Sequence, residues 1–251
     1  MMAVTAQRLD AALVARNLAP SRERAQALVA AGLVEVEGAR ARSAAQRVGP
    51  AQALRVLGRD HPWASRGGLK LDAALTALGV RCAGRVCLDA GASNGGFTDV
   101  LLSRGAAAVY AVDVGRGLLE ARIAADPRVV VMDGTNLRHL AVLDGPPPDL
   151  VTLDLSFISL RLVLPAVGTA AAPGAEIVAL FKPQFELGRE LVGKGGVVHD
   201  HGAIAAGLAG FIAWAHQAMG ATSLHEPVAA AVRGAQGNQE WFVHLRLGGA
   251  A

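Results

Sequence analysis

The stretch LDAGASNGGFTD, residues 88–99, decides what kind of sheet this chain builds. It contains the end of an apolar strand pattern, a glycine-rich turn and the start of a helix. Glycines in such a turn permit a tight bend and let a ligand approach the backbone N–H groups. The spacing of Gly91, Gly95 and Gly96 differs from the G-x-G-x-x-G pattern of dinucleotide sites. This spacing favours a nucleoside ligand without a pyrophosphate.

Strand and helix patterns alternate along most of the chain on both sides of this turn. Such alternation predicts an α/β fold, a parallel sheet wrapped by helices, with its function at the carboxyl ends of the strands. From residue 70 onward the strand patterns are RVCLDAGA (85–92), AVYAVDVG (108–115), RVVVMDG (128–134), PPPDLVTLDLS (146–156), EIVALFKP (176–183), SLHEPVAAAV (223–232) and EWFVHLRL (240–247), and the predicted helices are 94–104, 116–125, 159–171 and 202–219.

The first 70 residues differ from the rest in charge and in pattern. They hold 11 basic and 5 acidic side chains, whereas the remaining 181 residues hold 13 and 16. Two short amphipathic helices at 7–17 and 21–32, with the strand patterns LVEVEG and QALRVLG, indicate a compact α+β module. A basic module beside an acidic body suggests a polyanion-binding domain, and the alternative is an ordinary arginine-rich surface. We divide the chain into domains at 1–60 and 70–251, joined by a linker at 61–69.

Three aspartates stand at or near the ends of successive strand patterns. Asp113 can accept hydrogen bonds from both hydroxyls of a ribose, and Asp133 could contact an adenine amino group. The alternative is that both are ordinary turn residues. Three acids beside a glycine-rich turn suit a cationic nucleoside such as S-adenosylmethionine. The residues predicted to contact this cofactor are Asp89, Gly91, Ala92, Ser93, Gly95, Gly96, Phe97, Asp113 and Asp133.

Lysine is rare in this chain, and its positions are therefore informative. Arginine supplies most of the positive charge, and the three lysines are Lys70, Lys182 and Lys194. Lys182 ends a buried-strand pattern, in ALFKPQFE (179–186), at the end of the sheet where function is expected. Arginine is no substitute where a compact or deprotonatable amine is needed. Lys194 lies in VGKGGVV (192–198), which we interpret as a flap that contacts phosphate or substrate; a solvated loop lysine is the alternative.

Seven motifs in order along the chain resemble those of one enzyme family. They are SRGGLKL, GASNGGFTD, AVDVG, LDLSFISL, FKPQFE, VGKGGVV and GNQE. Together they are similar to the TlyA family, RNA 2′-O-ribose methyltransferases with an FtsJ-like catalytic half and an S-four-type RNA-binding domain. The resemblance covers nearly the whole chain. It implies a Rossmann-like class I methyltransferase with a small N-terminal α+β RNA-binding domain, which uses S-adenosylmethionine.

The resemblance also implies a catalytic tetrad, Lys70, Asp154, Lys182 and Glu240. A ribose hydroxyl is a very weak acid, so methyl transfer to it needs proton removal or strong polarisation. Lys182 could act as a neutral amine base or stabilise the forming alkoxide, and the carboxylates would hold and tune the lysines. This chemistry needs no metal. The alternative for the same four residues is two surface ion pairs.

Four arginines are the candidates for RNA binding: Arg8, Arg22 and Arg24 at helix starts, and Arg66 in the linker. Their contacts would be mainly to phosphate and would weaken with salt. Because the chain has only ten aromatic side chains, we expect recognition of folded RNA by shape. The resemblance implies ribosomal RNA in ribosomal subunits as the partner, with cytidine 2′-hydroxyls as targets. No obligate protein partner is indicated.

Two other functions stay open, a membrane-active haemolysin-like protein and a non-catalytic ribosomal-RNA-binding protein with a methyltransferase fold. The apolar stretch at 202–220 is rich in alanine and glycine, and we predict a largely buried helix there, without membrane association. We find no export-signal pattern, and we expect Cys82 and Cys87 to be core thiols in the cytoplasm. The sequence HDH at 199–201 predicts a helix start and is poor support for a metal site.

Overall fold

The computed structural model describes residues 6–19, 21–58, 61–140 and 143–248. The chain divides into two compact units, Met1–Pro62 and Trp63–Ala251. We describe each of them separately.

The N-terminal unit is a small α+β module, as its pattern predicts. In chain order its elements are β1 (Gln7–Arg8), α1 (Leu9–Ala15), α2 (Arg22–Ala30), β2 (Val34–Val36), β3 (Ala39–Arg40), β4 (Arg47–Val48) and β5 (Leu54–Val56). β2 pairs with β3 and β5 in an antiparallel sheet, and β1 pairs with β4. Leu9, Leu13 and Val34 are fully buried in its core. Helix α1 is shorter than predicted because its first residues pair as a strand.

The second unit holds the α/β fold. Its elements in chain order are α3 (Arg66–Ala77), β6 (Val86–Ala90), α4 (Gly96–Ser103), β7 (Ala108–Asp113), α5 (Ala121–Ala124), β8 (Val129–Asp133), β9 (Leu150–Leu153), α6 (Leu164–Ala170), β10 (Glu176–Phe181), α7 (Pro183–Glu186), α8 (His201–Met219), β11 (Thr222–Ser223), β12 (Val228–Ala229) and β13 (Trp241–Arg246), with 3₁₀ turns at Leu137–His139, Leu160–Leu162 and Arg189–Leu191.

The sheet has the strand order β11-β13-β10-β9-β6-β7-β8, and β12 also pairs with β13. The five strands from β6 to β10 are parallel, as predicted, whereas β13 runs antiparallel to β10. The chain builds outward from β6 through β7 to β8 and then returns to place β9 on the other side of β6. The carboxyl ends of β6 and β9 therefore form a topological switch point, where open α/β sheets bind their ligands.

Helix α8 is the apolar segment predicted to be largely buried. It covers the sheet through Ile204, Leu208, Phe211 and Ala215, which are all buried. Asp200 begins the helix, because its carboxylate accepts a hydrogen bond from the Ala203 N–H at 2.9 Å. Within the described ranges, no helix combines the length and the apolar character needed to span a bilayer.

Four segments of the second unit differ from their predicted secondary structure. The strand predicted at 223–232 is interrupted, since only Ser223 and Val228–Ala229 of this stretch pair in the sheet. Helix α3 starts at Arg66, inside the stretch predicted as a linker, because Ser65 caps it by accepting the Gly67 N–H at 3.2 Å. Lys70 therefore lies on a helix. The helix predicted at 116–125 is reduced to α5, since the preceding residues form a turn whose N–H groups bond to strand-end carboxylates. The helix predicted at 159–171 is divided into a 3₁₀ turn and α6.

Candidate active site

The backbone at the switch point leaves no room for side chains at two glycines. Gly91 follows β6 with a φ of 88°, and a Cβ atom there would lie 2.6 Å from the carbonyl oxygen of Asp154. Gly95 caps α4 with a φ of 91°, and a Cβ atom there would lie 2.7 Å from Ile123 Cδ1. L-residues rarely adopt such φ angles and could not fit at these distances. The glycine-rich turn is therefore required by the packing.

Three contiguous cavities surround this turn, and each is lined by Gly91, Ser93 and Asp154. We name them the Asp113 cavity, the Ser65 cavity and the tetrad cavity, with volumes of about 280, 220 and 290 Å³. The Asp113 cavity is also lined by Asp113, Val114, Leu118, Asn136 and Phe157; the Ser65 cavity by Ser65, Arg66, Gly67, Ala92, Gly96 and Phe97; the tetrad cavity by Lys70, Lys182, Gln236, Glu240 and Phe157.

The Asp113 cavity has the chemistry of a nucleoside site. The Asp113 carboxylate accepts the Ser93 N–H at 2.9 Å and the Gly115 N–H at 2.7 Å, so its position at the end of β7 is fixed. Beside it, Val114 and Leu118 are 69% and 43% exposed, large values for apolar side chains. A carboxylate next to exposed apolar walls can hold a ribose diol and a flat base together.

Two of the aspartates predicted to contact the cofactor line none of the three cavities. Asp89 is fully buried in β6, where it accepts the Thr98 hydroxyl at 2.6 Å. Burial raises the pKa of Asp89 to about 7. Asp133 accepts the Gly117 N–H at 2.7 Å and so shapes the turn after β7. Asn136 lines the Asp113 cavity instead. Gly95 does not line the three cavities either. A contact of these three residues with a cofactor stays a prediction.

The four tetrad residues come together in two lysine–carboxylate pairs. Lys182 Nζ lies 2.6 Å from Asp154 Oδ1, and Lys70 Nζ lies 2.6 Å from Glu240 Oε2. All four side chains line the tetrad cavity. Lys182 is 7% and Glu240 is 2% exposed, so these are not surface ion pairs. Burying charged groups is costly for stability, which makes a functional reason for them more compelling.

Strand register places the tetrad. Phe181 pairs with Trp241 across β10 and β13, so the residues just beyond each strand end, Lys182 and Glu240, are brought side by side. Gly234 makes room for the Glu240 carboxylate, which a Cβ atom at that position would overlap. Lys70 reaches the same cavity from α3. Sequence motifs identified these residues, but register and packing bring them into contact.

Phe157 and Ser156 are site residues that the sequence patterns missed. Phe157 has a φ of 65°, rare for a bulky residue, and is 87% exposed. Its ring centroid lies 5.3 Å from that of Phe185, and it lines both the Asp113 and the tetrad cavities. Ser156 Oγ lies 3.2 Å from Lys182 Nζ. The motif LDLSFISL contains both residues, but only the backbone conformation shows that the Phe157 ring is presented to solvent.

The arginines predicted to bind RNA have different environments. Arg8 and Arg22 both donate to Asp10, a fully buried carboxylate, and their side chains are 43% and 58% exposed. The Arg8 guanidinium holds the pKa of Asp10 well below its usual range. Arg24 lies in the first turn of α2. Arg66, predicted in a linker, is the first residue of α3 and lines the Ser65 cavity.

Comparisons with known proteins agree with this geometry. Residues 63–247 match the family model for FtsJ-like methyltransferases, and residues 7–53 match the S4 domain. The chain is 48% identical to the 16S/23S rRNA (cytidine-2′-O)-methyltransferase TlyA of Mycobacterium tuberculosis, over 95% of this chain and 89% of the relative. It is 44% identical to YqxC of Bacillus subtilis, named as a candidate rRNA methyltransferase, over 77% of this chain and 70% of the relative.

A solved structure from Streptococcus thermophilus, described as a candidate hemolysin, is also similar. It has a TM-score of 0.77 and 36% sequence identity, and the match covers 98% of this chain and 90% of the other. The similarity therefore includes both units of the chain. The chain belongs to the TlyA family of FtsJ-like methyltransferases with an N-terminal S4 domain.

Proposed function

We propose that this protein transfers a methyl group from S-adenosylmethionine to the 2′-hydroxyl of cytidine in ribosomal RNA. The observation that carries the proposal is the meeting of two lysine–carboxylate pairs, each with one buried member, in one cavity that adjoins the glycine-rich turn. The name of the Mycobacterium tuberculosis relative supports the choice of substrate. A membrane-active protein has no evident use for such a cavity. We expect the protein to act in the cytoplasm, where ribosomal RNA is found.

The residues around the switch point fit the cofactor. Gly91 lets the turn after β6 pack against the carbonyl oxygen of Asp154, and it lines all three cavities. Asp113 would hold the ribose hydroxyls, and Val114 and Leu118 would enclose the adenine. The N-terminus of α3 and the Arg66 side chain in the Ser65 cavity would bind the carboxylate of the methionine part. When bound, S-adenosylmethionine supplies a methyl group activated by its sulfonium.

Lys182 would act on the 2′-oxygen of the substrate. Asp154 and Ser156 hold its Nζ from one side, and they use two of the three donor positions of an ammonium. The third can reach the 2′-oxygen in the tetrad cavity. As an ammonium, Lys182 would donate to this oxygen and stabilise its developing charge, whereas only as a neutral amine would it take the hydroxyl proton. Both roles need this nitrogen in a fixed position. Lys70, held by Glu240, would orient the same hydroxyl.

Phe157 would provide a platform for the target base. Its ring is exposed at the rim shared by the Asp113 and tetrad cavities and is backed by Phe185. A base stacked there would place its ribose near Lys182. Every nucleobase can stack on such a ring, so this contact would supply affinity, not base identity. In the N-terminal unit, Arg8, Arg22 and Arg24 would contact phosphates of the folded RNA.

The test is transfer of radiolabelled methyl groups to ribosomal subunits that lack the modification, followed by mapping of the modified nucleotide. We expect label at the 2′-oxygen of a cytidine with wild-type protein. Label on a base, or no label on either subunit, would contradict the proposal. Arg81→Gln is a matched control, because Arg81 is an exposed cation that precedes β6, at the end of the sheet opposite the site.

A further inference from the structure

The segment VGKGGVV forms a tight turn between the 3₁₀ turn at Arg189–Leu191 and helix α8. The Gly196 N–H donates to the Gly193 carbonyl at 3.0 Å, and the Gly193 N–H donates to the Val197 carbonyl at 2.9 Å. Gly195 and Gly196 have φ angles of 87° and 79°, so both positions require glycine. These constraints place Lys194 at the tip of the turn, which we name the Lys194 turn (Gly193–Val198).

The tip of the Lys194 turn has unused hydrogen-bond donors. Among the residues that the structure describes, neither the N–H groups of Lys194 and Gly195 nor the Lys194 ammonium has a partner. The Lys194 side chain is exposed. Consecutive N–H groups beside a cation form the kind of concave site that binds phosphate oxygens. The chemistry of this tip is therefore that of an anion site.

Asn238 fixes the Lys194 turn in place. It is 1% exposed. Its Oδ1 accepts the Val198 N–H at 2.9 Å, and its Nδ2 donates to the Gly196 carbonyl at 2.7 Å. Both bonds join its side chain to the backbone of the turn, 40 and 42 positions away in sequence. Loss of a buried amide with two such bonds would release the turn, because neither backbone group has another hydrogen-bond partner among the residues that the structure describes.

The segment 236–240, which contains Asn238, connects the Lys194 turn to the tetrad. Gln236 lines the tetrad cavity, and its Oε1 would lie 2.6 Å from a Cβ atom on Gly196, so the two segments are in close contact. Two residues beyond Asn238, Glu240 pairs with Lys70. The turn is therefore packed against the wall of the cavity in which the target ribose would lie.

We propose that the Lys194 turn binds a phosphate of the RNA strand beside the target ribose, and that Asn238 is its positioning residue. The inference deepens the proposed function and rests on it. Lys194 would contact the phosphate directly, whereas Asn238 would act only by holding the turn. The two residues should therefore affect the same step, and their effects should not multiply.

The test compares Lys194→Gln, Asn238→Ala and the double variant in methyl transfer to unmodified ribosomal subunits. We expect each single change to raise KM for the subunits about fivefold, as for one ionic contact, with kcat unchanged. Each should reduce the slope of log affinity against log salt by about one. The double variant should resemble Asn238→Ala alone. Multiplied effects, or a loss confined to kcat, would overturn the proposal.

Further measurements separate this proposal from the proposed function and from misfolding. Binding of unmodified subunits can be measured by filter retention without any methyl transfer, so the Lys194 turn is tested even if no methylation occurs. Hydrogen exchange at the Val198 amide should accelerate in Asn238→Ala and not in Lys194→Gln. If Asn238→Ala fails to fold, Asn238→Asp keeps the bond from Val198 and should still weaken binding. Unchanged binding in Asn238→Asp and Lys194→Gln would overturn the inference, and Arg81→Gln is the control for charge.

Discussion

Two buried clusters of opposite charges, one in each unit, differ in how completely their hydrogen bonds are satisfied. In the N-terminal unit, Asp10 accepts five hydrogen bonds from Arg8, Arg22, Gln26 and the Ala11 N–H. In the second unit, Lys182 and Lys70 pair with one carboxylate each and face a cavity. A cluster whose hydrogen bonds are all made, which we call saturated, stabilises the structure. An unsaturated cluster, which has N–H donors without a partner, can bind a substrate and act on it.

The largest expected effect comes from breaking the unsaturated cluster. Lys182→Ala and Asp154→Ala should each reduce kcat for methyl transfer about 100-fold or more, because they remove or misplace the group that acts on the 2′-oxygen. Lys182→Arg should fail as well, since a planar guanidinium does not replace a compact amine. Circular dichroism should show that the fold is kept. Wild-type rates in Lys182→Ala would refute the assignment of the site.

Breaking the saturated cluster should affect stability first. Asp10→Ala leaves two arginines and a glutamine without their common acceptor, and we expect a loss of about 2 kcal/mol in the free energy of unfolding. Urea denaturation of the full chain measures it. Asp126→Ala is the matched control, because it removes a half-exposed pair with a single arginine, Arg128, and should have a smaller effect. If the two variants are equally stable, the Asp10 cluster is not structural.

The exposed Phe157 ring is an apolar group that, like the unsaturated cluster, has a surface free to contact a substrate. Phe157→Ala should raise KM for ribosomal subunits about tenfold, the usual contribution of stacking one base, with stability nearly unchanged. Phe157→Trp should keep most of the affinity. Leu162→Ala is the control, because Leu162 is 54% exposed and lines none of the three cavities. A substrate-binding role for Phe157 would be contradicted if both alanine variants bound subunits like wild type.

The last comparison concerns the pH dependence of stability, to which Asp10 and Asp89 contribute with opposite signs. The pKa of Asp10 is lowered on folding, so its contribution is present above the ordinary carboxyl range and is lost as pH falls below it. The pKa of Asp89 is raised to about 7. The folded state then binds more protons than the unfolded state from about pH 4 to 7, and stability from this group falls as pH rises through that window.

Asp89→Asn separates the two contributions. The amide oxygen can still accept the Thr98 hydroxyl but does not titrate. The stability of the variant relative to wild type should therefore increase by about 1 kcal/mol per pH unit between pH 5 and 7. Thermal unfolding at several pH values measures this change. A constant difference between the two proteins would show that Asp89 ionises in the folded state as it does in water.

The sequence predicts much of the fold because local patterns encode local structure. The alternation of strand and helix patterns predicts the parallel strands β6 to β10, and the apolar segment after residue 201 predicts helix α8 correctly. The helix prediction at 116–125 failed because a longer-range contact, from the Gly117 N–H to the Asp133 carboxylate, holds a turn there. The linker prediction missed a local signal, since Ser65 caps helix α3 by accepting the Gly67 N–H.

For the site, the sequence predicted which types of residue take part, but it did not predict the contacts that each of them makes. Asp113 lines the predicted cavity, yet Asp89 and Asp133, which looked equivalent in sequence, are turned to structural partners. Strand register does not separate them, because Asp89 pairs with Ala111, two residues before Asp113, and Asp113 pairs with Asp133, so all three point to the same face of the sheet. Their hydrogen-bond partners differ instead: Asp89 accepts the Thr98 hydroxyl and Asp133 accepts the Gly117 N–H. The sequence did not predict Phe157 as a site residue, because its exposure depends on a positive φ angle that no sequence pattern indicates.

By itself, the sequence determined that a glycine turn, strand-end acids and one of the few lysines, Lys182, lie at the carboxyl ends of the strands of an α/β sheet. Only the tertiary structure decided which charges pair, Lys182 with Asp154 and Lys70 with Glu240. The physical reason is that backbone patterns act over a few residues, whereas pairing between distant charges depends on strand order and register. A shift of one position between β10 and β13 would turn these side chains to the opposite face of the sheet.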